Sequence, residues 1–267
     1  MRALLALLLF LLAPVASPQT SRPAADPAPA QAAEVLAELE RALAQDQPAV
    51  RARAVRACKG VAHPDLILRL ATALRDGSRE LQAEILEVLR WIDHPLVLNH
   101  LHRVHKQSTF LADPVLGVML YRAIAQHGDK KSAALLAEKP FMRTHPDVIS
   151  ARFIGLGNIR EKRSVKKLME LIQRVGGERL AKIEPDFRLA MAALVGRDAG
   201  PKRSHWLFWW RDNEKTFRIP PKRTLDPTLE GRWKRFWAEV PNPSKRVRDF
   251  DEAQAKEREE KQDDEGR

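Results

Sequence analysis

The chain has 267 residues, 44% of them hydrophobic, a formal charge of +11, six tryptophans and a single cysteine. That much apolar material suffices for a sizeable buried core, and one thiol excludes an internal disulfide framework. The basic balance favours acidic partners such as wall polymers, anionic lipid surfaces or nucleic acid. Arg and Lys are nevertheless spread along the outer faces of the expected helices instead of massed in one block, so solvated faces account for them.

In chain order, "MRALLALLLFLLAPVAS" sets Arg2 before an apolar run from Ala3 to Ala13. The run is shorter than the roughly 20 residues that a membrane-spanning helix needs. With small residues at Ala16 and Ser17, it reads as a cleavable secretory signal peptide over residues 1–17. No Cys follows the run, so a lipid-modified N-terminus is not supported. No later stretch is apolar enough to span a membrane, and the mature chain is expected to be periplasmic or extracellular. Residues 18–32, "PQTSRPAADPAPAQA", lack bulky apolar side chains and read as a disordered linker.

From Ala33 the pattern is helical, with Val35, Leu36, Leu39 and Leu43 on one face. "PAVRARAVRACKGVA" and "HPDLILRLATALRDG" form a first pair of helices, and "SRELQAEILEVLRWID" and "HPLVLNHLHRVHKQ" a second. Further pairs open at Asp113-Pro114, His145-Pro146 and Glu184-Pro185, prolines suited to the first turn of a helix. Apolar/polar alternation and hairpin signals are nearly absent. Helix pairs recurring every 30 to 40 residues or so predict an all-α, right-handed α-solenoid of about five pairs over residues 33–213, each pair stacked on its neighbours.

The pairs resemble HEAT repeats. "DQPAVRARAVRAC" matches through Asp46, Val50, Arg51 and Ala54, and "LGNIREKRSVKKLMELI" through Leu156, Gly157, Val165, Leu168 and Leu171; Phe187-Arg188 repeats the apolar-Arg pair. The resemblance implies an ARM-type fold in which Asp and Arg residues ladder between adjacent repeats. In the third repeat Leu116 stands where Arg is expected, so the ladder should break there. "AALVGRDAGPKRSHWLFWWRDN" is similar to the closing repeat of exported bacterial HEAT proteins, through Leu194, Gly196, Asp198, Gly200, Trp206, Trp209, Trp210 and Asn213.

Trp206, Trp209 and Trp210 fall on one helix face, which suits them to cover the apolar end of the stack. "FRIPPKRTLDPTLE" predicts an extended arm, because its prolines forbid a continuous helix. After it, Trp233, Phe236 and Trp237 repeat the spacing, giving an extension over residues 214–240 whose aromatic helix returns to the end of the solenoid. These six aromatics are the candidate binding or capping patch. Residues 241–267 are mixed charge around Phe250 and are expected to be disordered, or a frayed charged helix.

No catalytic or metal residue and no cofactor is expected. Cys58 lies at helical spacing with Ala54, Val55 and Val61 and reads as a buried small hydrophobe. Of His100, His102 and His105, only the last two share a face, with no carboxylate near in sequence. "GLGN" lacks a preceding strand and a third glycine, and "HGDKKS" lacks the spacing of a phosphate loop. The expected function is an exported, non-catalytic scaffold for protein–protein interaction, its partner another envelope or secreted protein. An acidic polymer is a second partner class. The alternatives are glycan or wall-polymer binding through exposed tryptophans, and a HEAT-like DNA glycosylase, which the export signal disfavours along with nucleic acid as a partner.

Overall fold

The computed structural model describes residues 29–141 and 144–265. The expected signal peptide, and the linker up to residue 28, lie outside the described residues. In chain order the helices are α1 (Pro29–Leu43), α2 (Pro48–Ala57), α3 (Pro64–Asp76), α4 (Arg79–Leu89) and α5 (Pro95–Val104). Next come α6 (Ser108–Ala112), α7 (Pro114–Gln126), α8 (Ser132–Ala137), α9 (Pro146–Asn158) and α10 (Lys162–Gln173). The chain closes with α11 (Gly177–Val195), α12 (Arg203–Asn213), α13 (Pro227–Trp237) and α14 (Pro243–Glu265). Among the described residues there is no strand, and no helix is long and apolar enough to cross a membrane.

Proline occupies the first turn of α2, α3, α5, α7, α9 and α13, where a missing N–H costs nothing. Several of the residues before it cap the helix. The Asp113 carboxylate accepts from the N–H groups of Val115 and Leu116, and Nδ1 of His94 accepts from Leu96 N–H at 3.1 Å. His145 does the same for Asp147 at 3.3 Å. All three His-Pro joints are helix starts, and in two of them the imidazole caps the helix.

Helices α2, α4, α7, α9 and α11 lie side by side, and α1, α3, α5, α8 and α10 pack against them in a second row. Because the C-terminal extension lies on its other side, the α2–α11 row is the inner one. Neighbouring inner helices meet closely where side chains are small: a Cβ at Gly155 would lie 2.8 Å from Ala125 Cβ, and one at Gly157 2.7 Å from Ala190 Cα. The "GLGN" glycines thus serve helix packing, and Asn158 adds a bond from Nδ2 to the Ala125 carbonyl at 2.8 Å.

The Asp/Arg ladder differs in detail from the expectation. Arg51 pairs with Asp46 inside one repeat at 3.0 Å, whereas the rung between repeats is Arg79 of α4 on Asp113 at the start of α7, at 2.5 Å. Leu116 is buried, and α7 and α9 are joined by the small-residue packing and the Asn158 bond.

Other differences concern boundaries. Helix α1 begins at Pro29, ahead of the expected Ala33. The short α6 is an unanticipated insertion, fixed by the buried Phe110. Helix α11 does not open at Pro185 but runs through it from Gly177; buried Ile183 and part-buried Leu180 hold the turns before the proline against the core. At its other end Gly196, with φ 76°, stops the helix in the left-handed conformation that glycine adopts freely.

Of the two readings of the tail, the charged helix is the one the structure has: α14, whose first half is seated along α4. Val247 is buried and Phe250 packs against the core. The Asp251 carboxylate takes Arg79 at 2.6 Å. These long-range partners supply the ordering that the segment's own composition lacks.

Cys58 is buried as expected, its Sγ donating to the Ala54 carbonyl at 3.2 Å. Burial pushes the thiol up to about 12, so thiolate is scarce at pH 8. The folded protein should leave a thiol-reactive disulfide reagent untouched at pH 8 over an hour, and release one equivalent on addition of denaturant.

Candidate binding surface on the inner helix row

The extension runs over the inner row in reverse order. Arg160 ties its arm to the stack, donating to the carbonyls of Ala193, at 3.3 Å, and of Pro220. Arg223 bonds Asn158 at 2.9 Å while lying 4.0 Å over the Trp233 ring. Helix α13 then reaches α11 through Arg232 and Asp186, and α7 through Phe236 beneath the Arg122 guanidinium. Its aromatic residues therefore do not return to the end of the solenoid; they lie across its inner face.

Residues 237–244 are held largely by their main chain. Arg90, at the end of α4 and only 2% exposed, donates to the Trp237 carbonyl and, at 3.2 Å, to that of Ala238. Arg122 of α7 donates to the same Ala238 carbonyl at 2.6 Å. Glu87 accepts from Val240 N–H at 3.2 Å, and Glu84 from Ser244 N–H at 3.1 Å and its hydroxyl at 2.6 Å. Arginines take carbonyl oxygens and glutamates take N–H groups, and a hydrogen bond to a charged group contributes about 1.5–3 kcal/mol. Glu87 also pairs with Arg90 at 3.0 Å, and Glu84 with Arg56 at 2.9 Å. Burial pulls the Arg90 guanidinium below its ordinary value, and Glu87 opposes that pull.

Beside this segment a cleft of about 720 Å³ opens among α7, α9, α11, α13 and α14. Its polar lining includes Arg122, Lys182, Arg232, Arg235 and Arg246, with Asp147, Asp186 and Glu239. Asp186 is buried and engaged by Ser150 at 2.5 Å and by Arg232. Burial raises its carboxyl above the usual range, against the pull of those two partners.

The expected aromatic patch is two clusters. Trp206, Trp209 and Trp210 are buried at the α12 end of the stack. There Trp206 meets Phe187 of α11 edge-on, Trp209 packs on Phe217, and the Trp206 indole N–H donates to the Gly200 carbonyl at 2.9 Å. Trp233 is buried and Trp237 and Phe236 are partly so, in ring contact with one another. Among the described residues no ring contact joins the two clusters. Among the described residues the exposed large aromatic is Phe208 of α12, at 58%.

The three histidines do not converge. His102 Nε2 lies 2.9 Å from Ser132 Oγ, and His105 Nδ1 lies 3.1 Å from the Tyr121 hydroxyl. Among the described residues no group of three or more His, Cys, Asp or Glu side chains could hold a metal ion.

Sequence reasoning missed Glu84, Glu87, Arg90 and Arg122, because arginines and lysines were assigned to solvated outer faces. A signal was present: α2, α4, α7 and α9 each bear or end in an arginine (Arg56, Arg90, Arg122, Arg152), at a similar place in the repeat. Arg90, Arg122 and Arg152 are buried, each bonded to backbone carbonyl groups.

No curated protein and no solved structure matches the chain. The family model of HEAT repeats matches residues 31–109, which contain α2 to α5 entire, so that stretch consists of HEAT repeats, and the paired all-helical stacking continues beyond it through α11.

Proposed function

We propose that this chain is an exported, non-catalytic scaffold, periplasmic or extracellular, that engages another envelope or secreted protein through the part of its inner row left open by the extension. HEAT repeats suit such a role, because stacked helix pairs offer a long surface for many weak contacts. The observation that carries the reading is the seat of residues 237–244. The inner row there already holds a peptide segment by its main chain, with arginine donors and glutamate acceptors. A surface with that chemistry is suited to peptide. The aromatic clusters are read as structural closure, since Trp206, Trp209, Trp210 and Trp233 are buried. Their burial weighs against a glycan platform, which needs exposed indoles.

Site-specific photo-crosslinking tests the reading. A crosslinking residue in place of Arg235, in the cleft, is expected to capture a defined envelope protein. The same residue in place of Leu68, exposed on α3 of the outer row, should not. Equal capture from both positions, or none from the cleft, would overturn it.

A further inference from the structure

The charges in the cleft are not balanced by the chain. Arg122 is 4% exposed, yet among the described residues only its Nη2 has an acceptor, the Ala238 carbonyl, and Nε is sealed from solvent without one. A buried guanidinium normally sits against a carboxylate that offsets the cost of leaving water. Here the neighbouring charges are Arg90 and Arg246, which repel it, and Glu87, which Arg90 already holds. Burial, with the two arginines adding to it, brings the Arg122 guanidinium down to about 10.

Of the other cations of the cleft, Arg232 is matched by Asp186, and the rest are not. Lys182, Arg235 and Arg246 line it, and among the described residues none of the three has a partner in an ion pair or a side-chain hydrogen bond. The acids that could serve them are engaged elsewhere: Asp186 by Ser150 and Arg232, and Glu239 by Lys59 at 2.5 Å. Asp147 faces His145 at 3.8 Å. A concave wall with excess positive charge concentrates anions, and arginines bind carboxylates by paired, charge-assisted bonds.

The shape selects among anions. The cleft is open and about 720 Å³, and Val118, Ile154, Phe236 and Val240 interrupt its charged lining. A bare inorganic ion would leave those walls uncovered, whereas a peptide with acidic and aliphatic side chains meets both. It also continues directly from residues 238–241, where the chain's own non-helical backbone borders the same cleft.

We propose that this cleft docks an acidic segment of the partner protein, its Asp or Glu carboxylates set against Arg122, Arg246 and Arg235, and its aliphatic carbons against Phe236. The inference rests on the scaffold reading and names the chemistry of the partner.

The test uses the full chain and a fluorescein-labelled ten-residue peptide of Glu, Asp and Leu, with a Gln/Asn/Leu peptide of equal length as control. Anisotropy should show saturable binding of the acidic peptide only, weakening at least tenfold between roughly 50 and 300 mM salt as screening shortens. R235Q/R246Q, two exposed positions, should lose at least tenfold in affinity with an unchanged melting temperature. R211Q/R258Q, the same charge change on α12 and the far end of α14, should lose less than twofold. Equal loss in both doubles would mean attraction to overall charge and would overturn the proposal, as would tight binding of the Gln/Asn/Leu peptide. Anionic vesicles bound through Arg235 and Arg246 while the acidic peptide is ignored would replace the partner by a lipid surface. In an arginine-labelled sample the Arg122 Nε–H resonance, assigned by its loss in R122K, should shift on titration with the peptide; a fixed resonance would count against the site. If the peptide fails but the Arg235 crosslinker still captures a protein, the acidic chemistry falls and the scaffold reading stands.

Discussion

R90A is expected to lose about 3–5 kcal/mol of folding stability, the usual cost of breaking a buried ion pair by removing one partner, and to release the C-terminal extension. In the parent, Arg90 joins α4 to the Trp237 and Ala238 carbonyls while neutralising Glu87. Without it, Glu87 keeps only the Val240 N–H and the Trp91 indole as donors in a buried place. Urea unfolding measures the first effect. Limited trypsin digestion measures the second, because the extension offers Lys245, Arg246 and Arg248 once it lifts away. Faster cleavage there than within α2–α11 is the expected pattern. R211A, on the exposed side of α12, should stay within about 0.5 kcal/mol of the parent. An R90A protein as resistant at Lys245 as its parent would show that the segment is held by other means.

W206A comes next in size, at about 3–5 kcal/mol. Trp206 is 0% exposed, edge-on to both Phe187 and Trp209, with its indole N–H satisfied by Gly200. Truncation leaves a cavity lined by those rings and a carbonyl without its donor. F208A, two residues further along α12 and facing solvent, should change stability by about 0.5 kcal/mol or less. The same burial is readable in the parent by acrylamide quenching of tryptophan fluorescence, whose slope should rise several-fold on unfolding. Strong quenching of the native protein, or a W206A variant as stable as F208A, would return the α12 indoles to the surface and revive the reading of an exposed platform.

The helix pairs were legible because their causes are local. Prolines at Pro48, Pro64, Pro95, Pro114 and Pro146 mark helix starts, and apolar residues at three- and four-residue steps mark the buried side. The i, i+3, i+4 face of Trp206, Trp209 and Trp210 was legible for the same reason. What was not legible rests on partners distant in sequence. Val247 and Phe250 are too few to announce a docked helix, and α14 is placed by Ser244 on Glu84 and Asp251 on Arg79, pairs separated by 160 and 172 residues. Pro185 misled because a break in local pattern was taken as an end, while Ile183 extends the buried face behind it. The inner arginines were hidden by composition: a guanidinium reads as surface until the backbone carbonyls that receive it are known.

In an open array of repeats each unit leans only on the next, and either end can fray without disturbing the other. Here Arg232 fastens the extension to Asp186 of α11, Glu239 to Lys59 just beyond α2, and Ser244 to Glu84 between them. The strap closes a linear chain of neighbours into a loop of dependence, so that first and last repeats are expected to melt together. Cooperativity that a small globular domain draws from its single core would be drawn, in this chain, from a buckle.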